Sequence, residues 1–110
     1  MKTKSSSILA IAMTALLACA TTSAYAQKNA NELHTRATAA MCANCHGTDG
    51  RTTDGSAIPS LVGMPKEYQI MQMQAFRSGA RPATVMHQIT KGLTDAQIET
   101  IAGYYATTKR

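Results

Sequence analysis

Apolar residues follow different rhythms along this chain, and each rhythm predicts an element. From Ile8 to Leu17 they form a short, nearly continuous run, preceded by Lys2 and Lys4 and followed by the small polar stretch TTSAYA ending at Ala26. A basic start, a short apolar run and an A-x-A site are the three parts of a secretory signal peptide. The run is shorter than the ~20 apolar residues that a transmembrane helix needs. Residues 1–26 are therefore expected to be a signal, and residues 27–110 one domain. From Leu33 to Cys42 the rhythm changes: Leu33, Ala37, Ala40 and Met41 fall at i, i+4, i+7 and i+8, one face of a helix.

A polar stretch, GTDGRTTDGSAIPS, comes next, broken by Gly47, Gly50, Gly55 and Pro59. A loop this long in a small domain is expected to wrap something. Pro65 suits the first turn of a second helix reaching about Arg77, with Gly79 just past its end. Tyr68, Met71 and Ala75 share one face of that helix, and Ile70 and Met73 lie nearly opposite. Apolar groups on two sides imply two contacts, which makes Ile70 and Met73 a candidate docking surface. A third helix opens with Thr94 and Gln97, a capping box, and carries Ile98, Ile101, Ala102 and Tyr105 on one face. Gly103 and Ala37 are small enough to let the terminal helices cross closely. No alternating apolar stretch argues for a strand, so the expected class is all-α.

Composition shows what this core lacks. The chain has one phenylalanine and no tryptophan. In a domain this small a single apolar core contributes roughly 3–5 kcal/mol, so a metal, disulfide or cofactor is commonly recruited. Cys19 follows Leu16-Leu17-Ala18, a sequence like a bacterial lipobox, but a lipidated Cys19 would leave the site after Ala26 without purpose. Soluble export, with Cys19 lost in the signal, is the expectation, and no stable membrane insertion follows. The remaining thiols, Cys42 and Cys45, are too close together to staple distant segments. A buried cofactor would fill the interior instead. The formal net charge is +5, without a basic cluster interleaved with aromatics, so nucleic-acid binding is not indicated. Scattered positive charge does suit docking onto an acidic partner.

The candidate chemistry lies in MCANCHGTDG, residues 41–50. A structural zinc site would need four ligands, and no second C-x-x-C exists. The adjacent Cys45 and His46 also suit a tetrahedral site poorly. A redox dithiol would sit at the start of a helix, where the dipole lowers a thiol pKa; here the motif ends one. The third possibility accounts for every position, because C-x-x-C-H is the attachment sequence for c-type haem. Cys42 and Cys45 would form thioethers to the two vinyl groups, and His46 would be the proximal iron ligand. Export agrees, since bacteria attach haem covalently outside the cytoplasm.

An electron carrier commonly holds its iron between His and Met, and the thioether raises the potential. Met41 sits on the proximal segment. Met71 and Met73 are mid-helix and read as core fillers, and His34 as a surface residue. Met86, in the connection before the last helix, is the favoured sixth ligand, with His87 and Met64 as alternatives. The second nitrogen of His46 should donate to a backbone carbonyl near Ile58-Pro59. Arg77 or Arg81 is a candidate partner for a haem propionate.

A helix running into CANCH, a Met-bearing loop and a capped C-terminal helix with a tyrosine pair together resemble the class I cytochrome c family. That resemblance implies an all-α haem domain with crossed terminal helices and His/Met ligation. CANCHGTDG, IPSLVGMP, AFRSGARPATVM and ITKGLTDAQIETIAGYYA more closely resemble the haem subunits of flavocytochrome c sulfide dehydrogenases. Cytochrome c4 domains share most of the pattern, but that group is a dihaem tandem and this chain has one motif. Both families place a ligand methionine where Met86 stands. The closer resemblance implies a periplasmic monohaem subunit that accepts electrons from a flavoprotein in a heterodimer and passes them to a downstream acceptor. The chain itself has neither a G-x-G-x-x-G nor a further cysteine pair, and is expected not to be the enzyme. The rival is a freestanding carrier that serves oxidases or reductases without a fixed flavoprotein.

Overall fold

A computed structural model describes the backbone of residues 3–109 and the side chains of residues 23–109. The Lys2 and Cys19 side chains, which bear on the expected signal and lipobox, lie outside the described residues. The elements are α1 (Thr3–His46), a 3-10 turn (Thr48–Gly50), α2 (Lys66–Ser78), α3 (Met86–Lys91) and α4 (Asp95–Thr107). No strand occurs among the described residues, in agreement with the all-α expectation. Two compact units divide the chain, Met1–Leu33 and His34–Arg110.

In the first unit the backbone is helical and the described side chains are exposed, Tyr25 and Leu33 strongly so. The expected start of a helix at Leu33 is therefore not a boundary; α1 begins at Thr3. No Gly or Pro occurs before Gly47, and the stretch is rich in alanine, the best helix former. What stops the helix is Gly47, at φ +79°. A Cβ there would lie 1.9 Å from the carbonyl oxygen of Arg51, so only glycine fits.

In the second unit α1 buries a different face from the one its apolar spacing suggests. Ala39 and His46 are buried and Thr35, Thr38, Cys42 and Ala43 half-buried, while Ala37, Ala40 and Met41 stand exposed. The reason is a polar contact: Tyr105 of α4 donates its hydroxyl to the Ala39 carbonyl at 2.7 Å. That approach needs small side chains on α1, and the 35/38/39/42 face supplies them. The expected close crossing at Ala37 and Gly103 is not used, and a Cβ on Gly103 would meet nothing within 4 Å.

On α2, capped by Gly79 at φ +82°, the expected sides are also exchanged. Ile70 and Met73 are buried in the core with Ile98, Ile101, Ala102 and Tyr105, whereas Tyr68 and Met71 are exposed. Ile70 and Met73 are thus not a docking surface, and Met71 is not a core filler. The helix packs against both α3 and α4. Buried Gln69 turns the same side inward by donating to the Met64 carbonyl at 2.8 Å and the Ala102 carbonyl at 3.5 Å.

The last helix forms as expected. Thr94 caps it by accepting from the Gln97 amide at 3.2 Å, and the Thr94 amide donates to Gln97 Oε1 at 2.9 Å. Ile98 and Ile101 are each 1% exposed, worth roughly 2 kcal/mol apiece in apolar burial. Short α3 falls where only a connection is expected.

Candidate functional site

Cys42, Cys45 and His46 lie within the last five residues of α1, and the loop that follows returns to His46. Gly50 anchors that loop. Its carbonyl accepts from the Leu61 amide (2.8 Å), the Val62 amide (3.3 Å) and the Ser60 hydroxyl (2.8 Å). Its φ is +74°, and a Cβ there would come within 2.6 Å of the Tyr105 ring. The Gly63 amide then donates to the Tyr105 carbonyl at 2.9 Å. The polar stretch thus wraps around one aromatic ring of α4.

This folding presents the Pro59 carbonyl to His46, whose Nδ1 lies 2.7 Å away. A carbonyl can only accept, so Nδ1 carries the proton and the lone pair remains on Nε2. The carbonyl expected near Ile58-Pro59 is therefore the one found. The ring is 8% exposed, buried and held in one tautomer. These are the properties of a histidine prepared to bind a metal through Nε2.

Cys42 is half-buried and Cys45 exposed. Burial, and secondarily the neighbouring Cys45, pushes the Cys42 thiol above its ordinary pKa. A redox dithiol needs the opposite shift, and the motif indeed ends a helix. No three His, Cys, Asp or Glu side chains converge among the described residues as a zinc site would require.

The other expected ligands separate in space and character. Met86 is half-buried at the first position of α3, and the fully buried Thr90 donates its hydroxyl to the Met86 carbonyl at 2.8 Å. Val85 and Ile89, beside it, are 54% and 40% exposed, apolar surface available to a bound apolar group. Met64 precedes α2 with its backbone engaged on both sides, the amide with Leu61 and the carbonyl with Gln69. His87 is half-buried, with Nδ1 buried and unpartnered. His34 is exposed, as expected. Arg77 is committed to protein, pairing with Asp95 at 2.6 Å and reaching the Leu93 carbonyl. Arg81 stacks over Phe76 and donates to Gln72. Sequence reasoning missed Gln69 and Thr90; for Thr90 the one available signal was its position four residues after Met86.

An all-helical domain with a C-x-x-C-H whose histidine is buried, oriented and free at Nε2 defines a site of the c-type haem class. The comparison with known proteins is specific. The cytochrome c family profile matches residues 34–109, and the chain belongs to the cytochrome c family. Its cofactor is haem c, covalently bound, and it is an electron carrier. The chain is 44% identical over 64 residues to the cytochrome subunit of sulfide dehydrogenase of Chlorobaculum tepidum, covering 58% of this chain and 56% of that protein. It is 38% identical over 71 residues to the thiosulfate dehydrogenase electron acceptor of Thiomonas intermedia, covering 64% of this chain and 33% of that protein. It is also 37% identical over 68 residues to cytochrome c-554(548) of Halomonas halodenitrificans, covering 59% of this chain and 81% of that protein. The match thus spans little more than half of the first relative and a third of the second. Among the described residues, no helix is long and apolar enough to cross a membrane.

Proposed function

We propose that the chain is exported, loses residues 1–26 and acts in the periplasm as a monohaem carrier, residues 27–110 forming the cytochrome domain. Cys42 and Cys45 attach the haem as thioethers, His46 is the proximal iron ligand and Met86 the distal one. Bound haem supplies a one-electron couple; the chain's residues attach it, orient it and shield it from water. The observation that carries this reading is the 2.7 Å contact between His46 Nδ1 and the Pro59 carbonyl, which leaves Nε2 for the iron. Met86 is favoured over Met64 because it lies in the connection before the last helix, flanked by the exposed apolar Val85 and Ile89.

In this reading the electrons come from a separate flavoprotein that oxidises sulfide, in a heterodimer with this chain, and leave to a downstream acceptor. The chain does no catalysis of its own. Support comes from the likeness to a cytochrome subunit of sulfide dehydrogenase and from the lack of a flavin-binding G-x-G-x-x-G in the sequence. The second reading, a freestanding carrier, is favoured by the coverage of cytochrome c-554(548), 81% of whose length aligns. Native purification from the periplasmic fraction, with haem and flavin absorbance read across one elution peak, separates the two. Co-eluting flavin near one to one supports the subunit; haem alone supports the freestanding carrier; no haem would sink both.

A further inference from the structure

A cavity of about 260 Å³ opens between the end of α2, the connection after it and α3. Arg77, Arg81 and Lys91 line it, together with Phe76 and His87, and no carboxylate does. We propose that this cavity binds a small oxyanion of the phosphate or sulfate class.

The cationic lining groups have donors to give. Arg81 is held over the Phe76 ring, 4.5 Å from its centroid, so its guanidinium is oriented before any ligand arrives. One of its nitrogens, Nη1, donates to Gln72, and a guanidinium has five N–H donors in a fixed fork suited to oxyanions. Lys91 has no hydrogen bond or ion pair among the described residues. His87 also lines the cavity, but its Nδ1 is closed off from solvent, so it is not counted among the donors. Arg77 is partly neutralised by Asp95, which leaves Arg81 and Lys91 as the main sources of positive charge. The end of α2 would otherwise repel an anion through its free carbonyls. Two of them are already capped: Gly79 N donates to Phe76 O at 3.2 Å and Arg81 N to Ala75 O at 3.0 Å.

The test is calorimetric titration of the haem-loaded protein with inorganic phosphate, ionic strength being held constant with chloride. The expected result is saturable one-site binding. Lys91→Gln and Arg81→Gln should each weaken it about tenfold, the loss of one charge-assisted hydrogen bond, and Lys91→Gln should leave the haem spectrum unchanged. Lys91 is exposed and its side chain makes no hydrogen bond or ion pair among the described residues, so its variant stays informative even if Arg81→Gln disturbs folding. Absence of saturable binding in the haem-loaded protein overturns the proposal, as it would if a haem propionate took the cavity. Binding equally strong in the Lys91 variant also overturns it, leaving non-specific association with a basic surface.

Discussion

The two sides of the proposed haem site are built differently. On the His46 side the main contacts are made by the protein itself: Pro59 holds the imidazole, Gly50 gathers three donors, and Tyr105 ties loop and α1 to α4. On the Met86 side, a six-residue helix starts without a side-chain cap, its flanking Val85 and Ile89 are exposed, and His87 Nδ1 lacks a partner. The chain assembles the proximal half with its own hydrogen bonds. It leaves the distal half to be completed by what it binds.

Breaking the proximal half should therefore have the largest effect on folding. Gly50→Ala forces a side chain into φ +74° and against the Tyr105 ring; backbone strain and overpacking together predict a loss of about 3–5 kcal/mol. Thermal or denaturant unfolding of the haem-loaded protein measures it, and a loss below about 1 kcal/mol would mean that the loop yields easily. Tyr105→Phe removes the second donor of the Ala39 carbonyl, its helical partner remaining, a loss of about 0.5–1.5 kcal/mol. It also carries a pH signature. Burial, chiefly, raises the Tyr105 pKa above its ordinary value. The folded state therefore keeps this proton after the unfolded chain has lost its own, so the contribution is complete below about pH 10 and declines as pH rises further. Stability-against-pH curves should fall less steeply above that point in Tyr105→Phe than in the parent.

The distal side should respond in the spectrum more than in stability. Met86→Leu nearly conserves volume, so packing alone should contribute less than about 1.5 kcal/mol to any shift in unfolding. The thioether signature of the oxidised spectrum should vanish and the potential fall. Met64→Leu should leave both intact, and the reverse pattern would transfer the ligand assignment to Met64. The smallest effect is expected for Thr90→Val, which removes the hydroxyl from the Met86 carbonyl for about 0.5–1.5 kcal/mol and, if that bond positions Met86, shifts the potential measurably.

Much of this contrast could be read from residue types. C-x-x-C-H named the cofactor because its chemistry depends on identity and spacing, both local. The T-x-x-Q cap of α4 and Gly79 at the end of α2 were legible for the same reason. The carbonyl near Ile58-Pro59 could be anticipated because a proximal histidine needs an acceptor and the loop had to return past it. The buried face of α1 could not. Leu33, Ala37, Ala40 and Met41 have the better apolar spacing, yet the hydroxyl of Tyr105 and the space around it select the face with smaller residues. Ile70 and Met73 were likewise misplaced, because two apolar sides on one helix leave its orientation undetermined. Gln69 settles it through partners on Met64 and Ala102, the latter 33 positions away.

By itself, then, the sequence determined the helical class, most of the breaks between elements and the attachment chemistry, all consequences of neighbours along the chain. Only the tertiary structure decided which faces are buried, which nitrogen of His46 stays free and how α3 presents Met86. Those depend on a few long-range hydrogen bonds from Tyr105, Pro59 and Gln69, whose partners no local pattern specifies.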